Sequence, residues 1–135
     1  MANPNSVDVA VMRSMLSRAR GLGSAKSGTA HWWAQRVTAI ALVPLALWFV
    51  ASVIGLSHQP RAAVLHWGAH PLNAALLLAL LVMLLHHMQL GLSVVIEDYV
   101  HVPGRRLMAI LAMKAITALL LFASVISVVR LAVSF

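Results

Sequence analysis

The sequence contains no cysteine, which excludes disulfides, thiolate metal sites and cysteine nucleophiles. Charge is scarce: 10% of the 135 residues are Asp, Glu, Lys or Arg, against about 25% in a soluble domain. Acid is scarcer still, and Asp8, Glu97 and Asp98 are the only carboxylate side chains. The first thirty residues lack an apolar h-region, so no cleavable signal peptide is expected. A net charge of +7 would suggest nucleic acid in a soluble protein, but no platform of stacking aromatics and basic residues accompanies it. The expectation is therefore no nucleic-acid partner.

What the chain does have is apolar length. Hydrophobic residues make up 61% and fall in long runs rather than alternating patterns, which points to helices in contact with membrane lipid. The first span is expected at about 37–56, where Pro44 should kink a helix whose neighbours resatisfy the freed carbonyl. The second, at about 72–96, opens beside Pro71, a helix-starting position for proline, and runs without charge from Asn73 to Leu85. Pro103-Gly104 marks the next break, and the third span follows at about 107–133. The expected fold class is all-α, integral membrane, with three transmembrane helices. The expected domains are an N-terminal tail, 1–30, and a three-helix anchor, 31–135. Within the tail, Val9–Arg20 is Arg-rich and mildly amphipathic; it weakly resembles a mitochondrial transit peptide but reads better as a cytoplasmic segment.

Basic residues set the expected orientation. Arg13, Arg18, Arg20, Lys26 and Arg36 precede the first span, and Arg105 and Arg106 lie between the second and third. The loop Ser57–His70 carries only Arg61. The positive-inside rule puts the N-terminus and the Glu97–Arg106 loop in the cytoplasm and the C-terminus on the far side. Lys114 and Arg130, inside the third span, lie near enough to its ends to snorkel.

Polar residues kept inside apolar spans need a reason. His86 and His87 lie about ten residues before the end of span two, roughly 15 Å deep at about 1.5 Å per residue. Adjacent helix positions point about 100° apart, so the two rings cannot serve one site equally. His87 shares its face with Gly91, whose missing side chain leaves room for a flat macrocycle; the apolar remainder would suit a neighbouring helix equally well. By spacing alone two readings stand: an axial imidazole on haem iron, or a neutral histidine bonded between helices. Glu97-Asp98-Tyr99 closes span two, as an interfacial aromatic with loop acids or as a quinone pocket in which the phenol donates and the acid relays protons. His31, Trp32, Trp33 and Arg36 at the entry of span one form an interfacial belt, or a seat for propionate-like anions. His66 and His70 would share a helical face as metal ligands can, but no carboxylate or cysteine supports them.

These motifs together resemble the succinate dehydrogenase hydrophobic membrane anchor. The landmarks are Gly28-Thr-Ala-His31, Arg36-Val-Thr38-Ala39, and His87-Met-Gln-Leu-Gly91 followed by Asp98-Tyr99. The resemblance implies that His87 is the axial ligand of a haem b shared with a cytochrome b subunit, with Gly91 beside it and Arg36 and His31 near the propionates. It implies that Tyr99 and Asp98 belong to a ubiquinone-reduction site, completed by the cytochrome b and iron–sulfur subunits, with a flavoprotein subunit oxidising succinate. The implied setting is the bacterial inner membrane, in contact with lipid. The rival readings are a small structural or assembly membrane protein without cofactor, and a self-contained cytochrome. The latter needs deep histidines on different spans, which this chain lacks.

Overall fold

The computed structural model describes residues 28–133, together with the single residue Met15. The tail expected over 1–30 lies largely outside the described residues, as do Arg13, Arg18, Arg20 and Lys26. Four helices follow in order: α1 (Gly28–Leu56), α2 (Arg61–Ala69), α3 (Pro71–Tyr99) and α4 (Pro103–Val133). No strand occurs among the described residues.

Helices α1, α3 and α4 have 29, 29 and 31 residues, with mean hydropathy of 2.4, 2.0 and 2.4 over their most apolar windows. At about 1.5 Å per residue each is roughly 44–46 Å long, which exceeds the ~30 Å hydrocarbon layer and carries both ends into the headgroups. The protein is a multi-pass, all-α membrane protein. Prolines set the breaks. Gln59, His70 and Val102 each precede a proline, and a residue before proline is pushed out of the helical region. His70 shows the effect: its ψ of 128° turns the chain between α2 and α3, while its N–H still bonds back to the His66 and Trp67 carbonyls at 3.2 and 3.3 Å. Pro44 is the exception, lying inside the unbroken α1.

The stretch Ser57–His70 is not a plain loop, because α2 occupies most of it. It is fastened at several points. Trp67 stacks on Trp48 of α1 with ring centroids 5.6 Å apart, and its carbonyl accepts from Asn73 Nδ2 at 2.8 Å. Gly68 lets α2 approach α4 closely, since a Cβ there would stand 2.7 Å from Leu131 Cδ2.

Helix α3 is the middle of the bundle, with α1 and α4 packed against it and α2 resting on α3 and α4. The enclosed core is small: Ala74, Leu80, Met113 and Val128 are buried, with Thr38 and Thr117 as buried polar residues. Each threonine hydroxyl donates to a carbonyl one turn back, Ala34 and Met113 respectively, at 2.8 Å. That local bond lets a hydroxyl sit at a dry helix contact. Large apolar residues on all three long helices face outward, the pattern of a chain whose environment is lipid or other helices.

Candidate functional site

Two histidines join α1 to α3. His31, Gln35 and Thr38 recur at spacings of four and three, so they share one face of α1. That face meets Ser93 and His87 of the antiparallel α3. His31 Nε2 lies 3.2 Å from Ser93 Oγ, and Thr38 Oγ1 lies 3.0 Å from His87 Nδ1. Each helix thus contributes one imidazole and one hydroxyl, in reciprocal order.

The hydroxyls fix the proton positions. A hydroxyl has one hydrogen to donate. Ser93 directs its own to the Leu90 carbonyl at 2.7 Å, and Thr38 directs its own to Ala34 at 2.8 Å, shared with Gln35 at 3.1 Å. That commitment leaves both oxygens as acceptors toward the rings, an assignment in which His31 Nε2–H and His87 Nδ1–H are the donors. In the neutral His87 ring so assigned, the lone pair is on Nε2. The nearest polar group there is Gln35 Nε2 at 3.4 Å, a long contact, while Gln35 Oε1 is buried without a partner. Exchanging the amide's ends would bury two N–H donors where one carbonyl oxygen is now unsatisfied, which is no cheaper.

A neutral imidazole with Nδ1–H anchored and Nε2 bare is the state a metal ion takes up. The ring is half-buried, Gln35 Nε2 makes only a long contact at Nε2 and Gln35 Oε1 is orphaned, so that side of the ring suits a stronger partner than the amide. Gly91 lies on the same side, where an added Cβ would stand 3.5 Å from Gln35 Nε2, an ordinary contact. Its missing side chain opens space toward α1 and the Gln35 amide.

His86 turns elsewhere. It is exposed and lines two adjoining depressions between α3 and α4, of about 280 and 240 Å³, both of which also include Gln89 and Lys114. The second reaches His31, Ser93 and Glu97. The doubled histidine is thus divided between two helix contacts, with His87 on α1 and His86 toward α4.

Glu97, Asp98 and Tyr99 end α3, all exposed, with the Tyr99 side chain 79% accessible. His101 Nδ1 donates to the Tyr99 carbonyl at 3.1 Å and Val100 N–H to Ile96 at 2.9 Å, closing carbonyls that a helix end leaves open. Tyr99 lies twelve positions beyond His87, roughly 18 Å along the axis, so this chain does not bring the two together. Arg36 is exposed on α1, its guanidinium 5.0 Å from the Trp32 ring, and Trp32 meets Trp33 edge-on at 5.1 Å. His31 and Arg36 therefore part company, one turned to α3 and the other outward. His66 and His70 line a depression of about 340 Å³ with Ala69, Pro71 and Ala132. Among the described residues no group of three or more metal-ligating side chains assembles there or elsewhere.

The partners of the histidines, Gln35, Thr38 and Ser93, carry no signal of their own as single residues. The signal lies in their spacing: polar groups at 31, 35 and 38 on one face of an otherwise apolar span.

The family model of the succinate dehydrogenase/fumarate reductase transmembrane subunit matches residues 10–122. The chain is 34% identical over 116 residues to the succinate dehydrogenase hydrophobic membrane anchor subunit of Rickettsia bellii, covering 86% of this chain and 93% of that one. It is 35% identical over 94 residues to the succinate dehydrogenase membrane anchor subunit of Reclinomonas americana, covering 67% and 78%. The hydrophobic membrane anchor subunit of Paracoccus denitrificans is 37% identical over 84 residues, 60% of this chain and 63% of that one. No solved structure matches.

Proposed function

This chain belongs to the succinate dehydrogenase/fumarate reductase transmembrane-subunit family, and from that premise we propose that it anchors a succinate:quinone oxidoreductase in the bacterial inner membrane, N-terminus inward. It joins the flavoprotein and iron–sulfur subunits to the bilayer, shares a haem b with a cytochrome b subunit, and supplies part of a ubiquinone-reduction site. It is a subunit of an oxidoreductase and has no turnover alone.

The observation that carries the haem reading is His87. Its ring is fixed by Thr38 through Nδ1–H, and Nε2 faces a weakly held amide beside an unsatisfied carbonyl oxygen. A bound haem would supply a one-electron store at depth, apart from the quinone site near the membrane surface. The chain's part is to present Nε2 in the ligating tautomer, with Gly91 leaving room on the side toward α1 and Gln35. Arg36, exposed in the N-terminal third of α1, is available to pair with propionate carboxylates from outside this bundle, while His31 is engaged with Ser93 of α3.

The quinone reading rests on Tyr99. An accessible phenol at a helix end, next to Asp98, suits a pocket finished by neighbouring polypeptides: Tyr99 donates a hydrogen bond to a quinone carbonyl and Asp98 tunes or relays protons. Its distance from His87 along α3 separates a site near the membrane surface from a buried one. The inward N-terminus rests on the basic residues Arg36, Arg105 and Arg106 flanking the same side.

Purification in gentle detergent, with identification of the chains that travel with this one, tests the assignment. Flavin-containing and iron–sulfur polypeptides are expected, with a b-type band on dithionite reduction. Isolation without either would favour a cofactor-free scaffold.

A further inference from the structure

We propose that Thr38 is the positioning residue that holds His87 in its ligating tautomer and sets the electron-donating strength of Nε2 toward iron. The inference rests on the reading of His87 as a haem ligand, and it names a residue of a different helix as the device that tunes that ligand.

Hydrogen positions give the contact its direction. The Thr38 side chain is 6% accessible, so it has no water to turn to. Its hydrogen is directed to the α1 backbone, the oxygen lying 2.8 Å from the Ala34 carbonyl, and the ring nitrogen Nδ1 stands 3.0 Å from the same oxygen. The linkage therefore runs one way, from His87 Nδ1–H to Thr38 Oγ1–H to the Ala34 carbonyl. Each bond in such a chain polarises the next. A ring that donates from Nδ1 gains electron density at Nε2, so a metal there meets a stronger base. A stronger axial base favours the ferric over the ferrous ion and lowers the reduction potential. Rotation about Cβ–Cγ is also suppressed, because the hydroxyl lies on a buried face of α1 fastened to α3 a second time by His31 and Ser93.

Gln35 completes the geometry. Its amide nitrogen, 3.4 Å from Nε2, is the polar atom within hydrogen-bond distance of that nitrogen, and the amide oxygen is unsatisfied. A side chain held that loosely yields the position when a better partner for Nε2 arrives. Thr38 gives no such way, since removing it would strand Nδ1–H in a dry contact.

The test is a reductive titration of the purified, assembled complex carrying Thr38→Val, which keeps the shape and deletes the acceptor. Outer-shell partners of ligating histidines alter metal affinity by about 10–100-fold. We expect the ferric-over-ferrous preference to fall by about tenfold, which for one electron is about 59 mV upward. Thr38→Ser, which restores the hydroxyl, returns the potential to that of the unaltered complex. An unshifted potential in Thr38→Val overturns the proposal. A residue that only packs α1 on α3 would lower haem content or stability without moving the potential and without rescue by serine. Should Thr38→Val fail to assemble, Thr38→Ala, which also deletes the acceptor, is titrated instead; the same upward shift is expected, and an unshifted potential there equally overturns the proposal. His87→Ala separates the premise: retention of native haem there removes the ligand assignment itself, whereas its loss, with no effect of Thr38→Val, removes only the role of Thr38.

Discussion

Replacing Ser93 with alanine removes the acceptor for His31 and leaves the Leu90 carbonyl with its ordinary helix bond. The 3.2 Å contact is a side-chain bond between two membrane helices. Such bonds average about 0.6 kcal/mol in double-mutant cycles and reach about 1.7 kcal/mol. The single substitution also leaves the His31 N–H without a partner at a half-buried position. Stranding a fully buried donor costs about 1–3 kcal/mol, and partial access reduces that, so Ser93→Ala should destabilise by about 1 kcal/mol. The cycle that adds His31→Ala and the double variant should return a coupling of about 0.6 kcal/mol. Denaturing-detergent titration of the purified complex, at one fixed mole fraction of mild detergent, measures all four states. Ser127 serves as the control, because its exposed hydroxyl bonds only to its own helix at Ala123; Ser127→Ala should stay within about 0.5 kcal/mol. A coupling indistinguishable from zero, with Ser93→Ala no worse than that control, would refute the reciprocal clasp from which the proton positions follow.

In the assembled complex, His87→Ala should abolish the reduced b-type band while His86→Ala, on the α4 side, leaves it; equal losses in both would defeat the division of the pair. Tyr99→Phe should cut quinone reduction sharply with haem spectrum and subunit content unchanged, as steady-state assays with a soluble quinone would show. Normal turnover there would defeat the quinone role. At the α2–α4 contact, Gly68→Ala needs only a shift of the flexible Leu131 side chain, whereas Gly68→Val overpacks and should cost about 1–3 kcal/mol. Thermal unfolding followed by light scattering distinguishes them, and equal stability of the two variants would show that α2 is not tightly seated on α4.

Much of this architecture could be read directly. Runs such as Asn73–Leu85, without a charge and without the alternation of a barrel strand, leave a lone segment one way to satisfy its own backbone in lipid, and that is a helix. The helices extend several residues beyond the apolar runs because headgroup layers accept polar residues that the hydrocarbon rejects; hence α1 begins at Gly28 rather than near Val37. Helix α2 was harder to see. Nine residues of mixed polarity carry little periodic signal, and the helix is held by Trp48, Asn73 and Leu131, which lie outside it in sequence. The site divides likewise. The His-x3-Gly spacing, the Asp98-Tyr99 pair and the Arg36-Val-Thr38-Ala39 string are local patterns and visible in the sequence, whereas the pairing of Thr38 with His87 and of Ser93 with His31 shows only in what they face.

The sequence by itself determined the solvent, the number of spans, where the chain turns and which polar side chains sit at depth, because hydropathy and proline sterics act within a few residues. The tertiary structure decided which helix stands in the middle, which of two adjacent imidazoles meets α1, and which nitrogen of that ring faces a hydroxyl. The last of these depends on a hydroxyl 49 positions away in the chain, brought to 3.0 Å only by the antiparallel pairing of two helices. A contact of that kind leaves no mark in local composition.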